Sequence, residues 1–346
     1  MQSNEFSPKK FGMIFNEQLH NRRRLLQQMS GGAGALVAAD LLAGAQGTHF
    51  EPRAKRVIHL FMNGGPFQAD LFDPKPSLLK YAGQKPEGTH LLTERPTGGL
   101  LPSPFRFRPQ GANGVLVSEL LPKLSQHIDD ICVLRSMHAD NPNHGPALLQ
   151  MNNGTIIPTR PSMGAWFLYG LGTENQNLPG YVVLCPGRPV RFSILWNSAF
   201  LPSAYQGTYI NHSTIVPEKM VPHLRNTRWD QATQQRQLKL LRRLHAEHDA
   251  DRPSGSSAEA RIHAMETAYR MQFQASDAFD LKRESKPTRN AYGSGHFANG
   301  CLLARRMVER GVRFVQVYYG NGQPWDTHSD HNKKVPKLCR DIDQPI

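Results

Sequence analysis

The chain has 346 residues, enough for one large domain or two ordinary ones, and long enough to bury a core without disulfide or metal staples. Hydrophobic residues make up 39% and charged residues 20%, which excludes a disordered or fibrous chain, and no apolar run is long enough to span a bilayer. Lys and Arg number 41 against 28 acids, a net charge of +13, which raises nucleic acid, a membrane surface or an anionic substrate as partners.

Arg22-Arg23-Arg24 is followed by the small, mildly apolar stretch from Gly31 to Leu42 and then by Ala43-Gly44-Ala45. A charged start, a short apolar centre and a small-residue cleavage site read as an export signal. Paired arginines before a weakly hydrophobic centre are similar to a twin-arginine signal, with Asp40 as a departure. Residues 1–50 are therefore assigned to a twin-arginine-like export signal and linker, and residues 51–346 to the folded domain.

Arg56 to Met62 is β-rich and ends at Asn63-Gly64-Gly65-Pro66, a strand entering a tight turn. Residues 74–109 are rich in Pro and Gly and read mostly as loop. Leu116, Leu120, Leu124 and Ile128 have helical spacing, interrupted by Pro122. Ile131 to Leu134, Tyr181 to Leu184 and Phe192 to Trp196 predict strands. Leu238, Leu241, Leu244 and His248 share one helical face, and Ile262, Met265, Tyr269 and Phe273 another. Asp251 to Gly255 is a turn between them, and Ser256-Ser257 with Glu259 is a capping arrangement. This predicts an antiparallel helical pair at about 230–285, inserted in the domain, with its arginines on a solvated face. Phe297, Cys301, Ala304 and Val308 predict a helix that stops at Gly311, and Val312 to Tyr318 a strand after it. Strands alternating with helices argue for an α/β domain with a largely parallel sheet.

Three polar loops follow predicted strands: Asn63 to Asp73, His138 to Asn153, and Trp325 to His331. Ligands of open parallel sheets bind outside the carboxyl ends of the strands, so neighbouring strands would bring these loops to one crevice. In the last loop Asp326 and His328 offer a carboxylate and an imidazole two residues apart, and Asp330 and His331 repeat the chemistry. That pairing suits Zn²⁺, Mn²⁺ or similar cations, although a polar turn has the same composition. His138 and His144 are candidate ligands or anion contacts, among Asp140, Asn141 and Asn143, which also form Asx turns. Asn63 and Asp70 are candidate oxygen donors, and Gly64-Gly65 brings bare backbone amides close to the crevice. Cys185-Pro186-Gly187-Arg188 differs in order from the Cys-x-Pro-x-Arg motif that sulfatases oxidise to formylglycine, so Cys185 is rejected as nucleophile. Arg188 and Arg191 remain candidate anion contacts. No Ser-His-Asp set can be assigned from spacing. Cys132, Cys185, Cys301 and Cys339 stand singly, without zinc or redox spacing. The glycine-rich stretch Gly31 to Gly34 precedes no βα unit, which argues against a dinucleotide site, and no motif interleaves aromatic with basic residues as nucleic-acid binders do.

Four blocks, Leu60 to Pro76, Arg135 to Pro146, Leu303 to Val315 and Trp325 to His328, resemble in order those of the domain of unknown function numbered 1501. That family resembles a branch of the alkaline phosphatase and sulfatase superfamily. The resemblance implies a three-layer α/β/α sandwich and a metal-dependent hydrolase of phosphate or sulfate esters. It also implies Asp326 and His328 as metal ligands and adds weight to His144 and Asn63. Phe67 stands where the family has a serine. After Ile346 the family continues into a helix, a strand with a Gly-Glu-Phe-Gly-Arg block and a later Asp-His pair, so the C-terminal part of the domain is expected to be missing.

The expected fold is thus α/β, an alkaline phosphatase-like three-layer α/β/α sandwich with a largely parallel sheet and without its C-terminal part. The expected function is an exported sulfatase- or phosphatase-like hydrolase of anionic esters, periplasmic or at the cell surface, incomplete or inactive as it stands. Its cofactor is a divalent metal (Zn, Mn, Ca or Mg) on Asp326 and His328. Asn63, Asp70, His138, His144 and Arg188 are further metal or anion contacts. The partner is an anionic ester, with sulfated polysaccharide as one form; neither specific nucleic acid nor a transmembrane segment is expected. The alternative is a non-catalytic cell-surface protein that keeps the fold and binds an anionic polysaccharide or a protein through its basic helices.

Overall fold

The computed structural model describes residue 51 and residues 53–85, 98–221, 226–251 and 257–346. The chain divides into two compact units, Met1–Lys55 and Arg56–Ile346, and the fold described is that of the second. The export signal, the cap at Ser256 and the turn after Asp251 lie outside the described residues.

In chain order, β1 (Val57–Phe61) and the short helix α1 (Pro76–Lys80) precede the hairpin of β2 (Phe107–Gln110) and β3 (Val115–Ser118). Helices α2 (His144–Asn153) and α3 (Met163–Leu171) lead to β4 (Tyr181–Cys185) and β5 (Thr208–Asn211). Then come α4 (Pro217–Met220), the long pair α5 (Gln231–Asp251) and α6 (Ser257–Phe279), α7 (Lys286–Tyr292) and α8 (His296–Glu309), and finally β6 (Phe314–Tyr318) and α9 (His331–Asp343). The main sheet is parallel throughout, in the order β1-β6-β4-β5.

Every residue of β4 and β6 is buried, as expected of central parallel strands covered on both faces. Alternation sorts their side chains: Val182, Leu184, Val315 and Val317 join one core, with Phe297, Leu303 and Met307 of α8. Tyr181, Val183, Phe314 and Tyr318 join the other, with Leu148 and Leu149 of α2 and Leu168 of α3. The result is a mixed α/β domain with helices on both faces of the sheet. Arg306 of α8, 3% exposed, donates to the carbonyls of Asp277 and Ala278 and pairs with Glu284, which ties the end of α6 to the core and integrates the helical pair.

One polar group sits in the centre of the sheet. Gln316 donates from Nε2 to Asn152 Oδ1 at 2.5 Å and accepts at Oε1 from the Tyr181 hydroxyl at 2.7 Å. Tyr318 donates to the same Asn152 oxygen, and Asn152 Nδ2 donates to Leu148 O. A buried network satisfied in this way is directional, and it locks the depth and rotation of α2 against β4 and β6.

Several local expectations fail. The helix over residues 116–128 is instead β3 followed by a 3-10 segment, Leu124–Asp130. Pro122 removes a helical donor, and the Asp343 carboxylate accepts from the amides of Lys123 and Leu124. Phe192–Trp196 is a 3-10 turn, not a strand, because Arg191 enters it in the left-handed region at φ 69°. Ile131 to Leu134 forms no strand. The polar loop to Asn153 becomes α2 at His144, where the Asn143 side chain accepts from the Gly145 amide as N-cap. Residues 74–109 hold α1 and the first residues of β2 within their loop, and β5, α3 and α9 stand where no element is expected.

Candidate functional site

β6 lies between β1 and β4 with level ends, Phe61 opposite Tyr318 and Leu184 opposite Val317, so their following loops rise side by side. Asn63 closes the β1 end. It is fully buried, with Nδ2 donating to Gly320 O at 2.8 Å and Gly322 O at 2.5 Å, and Oδ1 accepting from the Gly320 amide. Asn63 is therefore the clamp between the two loops. Gly64, at φ +104°, packs directly on the chain beyond β6: a Cβ there would lie 2.5 Å from the Asp326 amide nitrogen.

That packing presents Asp326 at the rim. Its Oδ2 stands 3.0 Å from His144 Nε2 and 2.7 Å from His328 Nε2. His144 is the first residue of α2, whose position the Gln316 network sets. The Asp326 side chain is 21% exposed and that of His328 60%, so the cluster opens to solvent. His328 sits at φ +32° and Asp330 at φ +52°, left-handed conformations that cost energy in residues other than glycine.

On the α2 side the Arg191 guanidinium lies against the helix N-terminus; a Cβ on Gly145 would be 2.8 Å from Arg191 Nε. Arg188, on the same loop, is exposed and stacks over the Phe192 ring at 4.9 Å, while its backbone is bonded to Asn321 and Gly322 beyond β6. A guanidinium beside the positive end of a helix dipole is suited to an anion. Cys185 is buried at the end of β4, and burial pushes its thiol up to about 12, which removes it from nucleophilic chemistry.

His138 is exposed and has no hydrogen bond or ion pair to the other candidates. Asp140, Asn141 and Asn143 serve turns and the helix cap: Asp140 pairs with Gln150, and Asn141 Oδ1 accepts from the Asn143 amide. Asp70 is 1% exposed and pairs with His331 rather than with the Asp326 cluster, its Oδ2 2.6 Å from His331 Nε2. His331 Nδ1 is 2.7 Å from the Thr327 hydroxyl, making an Asp-His-Thr line that no sequence spacing signalled.

Residues 54–346 match the family described as protein of unknown function, DUF1501. The chain belongs to this family. No curated protein and no solved structure matches it. The ordered blocks read from the sequence thus identify the DUF1501 family, and two of them supply the rim: His144 lies in the second, and Asp326 and His328 in the last.

The donor set of this DUF1501 chain was weighed against a divalent cation. Two imidazoles and one carboxylate are ligands that Zn²⁺ and similar ions accept, so the chemistry fits. Among the described residues no three His, Cys, Asp or Glu side chains already stand as a coordination shell. In this arrangement Asp326 Oδ2 stands within hydrogen-bond distance of both imidazoles.

Proposed function

We propose that this DUF1501 chain is an exported, metal-dependent, sulfatase- or phosphatase-like hydrolase of anionic esters, with the sandwich of the alkaline phosphatase superfamily. The observation that supports it best is that Asp326 meets both His144 and His328, groups contributed by the start of α2 and the loop after β6, far apart in the sequence. These three residues would hold Zn, Mn, Ca or Mg. Such an ion supplies Lewis acidity for ester cleavage when bound.

The chain's own groups have separate tasks. Arg191, against Gly145 at the start of α2, binds the ester's anionic oxygens, and the positive end of the α2 dipole adds to it. Arg188 extends the cationic rim outward. The bare, exposed backbone at Gly65 lets the substrate approach the β1 turn without steric obstruction. The open side of the cluster, where His328 is most exposed, accommodates a bulky ester such as a sulfated polysaccharide. The Arg22 to Arg24 cluster would direct the protein to the periplasm or cell surface.

Elemental analysis of the purified protein, beside Asp326→Ala, tests this reading together with hydrolysis of p-nitrophenyl phosphate and p-nitrophenyl sulfate in a series of divalent ions. The expected result is bound metal and turnover in the parent protein and loss of both in Asp326→Ala. Absence of metal from both proteins would overturn the reading.

A further inference from the structure

The line from Asp70 through His331 to Thr327 takes no part in the chemistry proposed above, yet it is built with care. Asp70 is 1% exposed on the turn after β1, and its Oδ1 has no hydrogen-bond partner. Its attachment to the protein is therefore concentrated in Oδ2, 2.6 Å from His331 Nε2. A carboxylate only accepts, so Nε2 carries its hydrogen; in the neutral ring Nδ1 is bare and accepts from the Thr327 hydroxyl at 2.7 Å. The three groups form one directed line from Thr327 to His331 to Asp70.

Thr327 is the residue between Asp326 and His328. It is 8% exposed and turned inward, while its two neighbours project at the rim. The chain around it is strained, with His328 at φ +32° and Asp330 at φ +52°. Such conformations persist where surrounding contacts over-determine them. Here the contacts are the Thr327–His331 bond on one side and Lys334 on the other, which donates from Nζ to Thr327 O at 3.3 Å and Ser329 Oγ at 3.1 Å. Pulling Thr327 inward turns Asp326 and His328 outward together.

We propose that Thr327, His331 and Asp70 are positioning residues that aim Asp326 and His328 at His144. This rests on the reading of those three as the ligands of a divalent cation. The line connects the loop after β1 with the start of α9 and so makes the ligand peptide part of the rigid framework. Outer groups of this kind orient metal ligands, and their loss costs about 10- to 100-fold in metal affinity.

The test is a Co²⁺ titration followed by visible absorption, on the full chain and on Thr327→Val, which keeps the shape and removes the hydroxyl. Thr327→Val should bind Co²⁺ about 10- to 100-fold more weakly, with an altered absorption band, and Thr327→Ser should restore both. Asp70→Asn is the second variant should Thr327→Val not fold, with the same expected loss. The imidazole NMR signals of His144 and His328, recorded without metal, should shift together in Thr327→Val. Unchanged affinity, band and imidazole signals in a folded variant would overturn the proposal and reduce the line to a structural brace. If the parent chain takes up no Co²⁺, the ligand reading falls; the metal-free imidazole signals then decide the positioning role alone, and no shift overturns it.

Discussion

Replacing Gly64 by alanine should do more harm than the same change one residue later, and the difference can be worked out from the structure. Both glycines have positive φ, +104° for Gly64 and +76° for Gly65, so either substitution incurs the left-handed penalty of about 1–2 kcal/mol. A Cβ on Gly65 meets nothing within 4 Å, so the penalty ends there. A Cβ on Gly64 meets the Asp326 nitrogen at 2.5 Å, the Trp325 nitrogen at 2.7 Å and the Gln323 carbonyl at 2.9 Å. All three are backbone atoms, which no rotamer change can move aside. Restoring ordinary contact requires the loop beyond β6 to retreat by about 1 Å, and forced overpacking of this kind costs about 1–3 kcal/mol more. The expected loss is about 1–2 kcal/mol for Gly65→Ala and about 2–5 kcal/mol for Gly64→Ala. The retreat carries Asp326 away from His144, so Gly64→Ala should also lose divalent-ion affinity that Gly65→Ala keeps. Guanidinium chloride unfolding with a Zn²⁺ or Co²⁺ titration measures both. Equal losses of stability, or a Gly64→Ala protein with undiminished affinity, would refute the argument that this glycine sets the height of the Asp326 loop.

Two further outcomes follow from buried polar groups. His212 is fully buried, its Nε2 3.1 Å from His296 O and its Nδ1 without a partner, and burial pushes its pKa down to about 4. The folded protein holds the neutral ring while the unfolded chain titrates near 6.5, so this contribution is complete above about pH 6.5 and is lost as the pH falls through about 4. It amounts to about 3 kcal/mol by the shift, and unfolding curves at several pH values should show a shallower slope in His212→Leu; an unchanged slope would contradict it. Gln316→Leu should take the acceptor from the Tyr181 hydroxyl and leave Asn152 Oδ1 with the Tyr318 hydroxyl alone, costing about 1–3 kcal/mol for the group left unpaired and loosening α2. A drop in unfolding midpoint with weakened metal binding is the expected result, since α2 carries His144; a midpoint equal to the parent's would discount the network.

Much of the scaffold was legible locally. Tyr181 to Leu184 is an apolar run and Val312 to Tyr318 is rich in β-branched and aromatic residues, as doubly covered strands are, and both form central strands. The helical face of Phe297, Cys301, Ala304 and Val308 ends near Gly311 as its glycine suggests. Phe192 to Trp196 has the same apolar look as a strand, but its fate was decided by the left-handed Arg191 before it and by the core that receives Leu195 and Trp196. The start of α2 was hidden because Asp140, Asn141, Asn143 and His144 have the composition of a loop, and the cap that begins the helix is one of the loop formers.

By itself the sequence determined the family, the central strands and the chemistry on offer after β6, since each depends on residues close together in the chain. Only the tertiary structure decided which groups meet. The insertion of β6 between β1 and β4 places Gly64 beneath Asp326 and His144 beside it, and gives Asn63 to the clamp. It also joins Asp70 to His331 across 261 positions. Such contacts arise from strand order and the close packing of loops on it, and no spacing along the chain encodes a distance that packing creates.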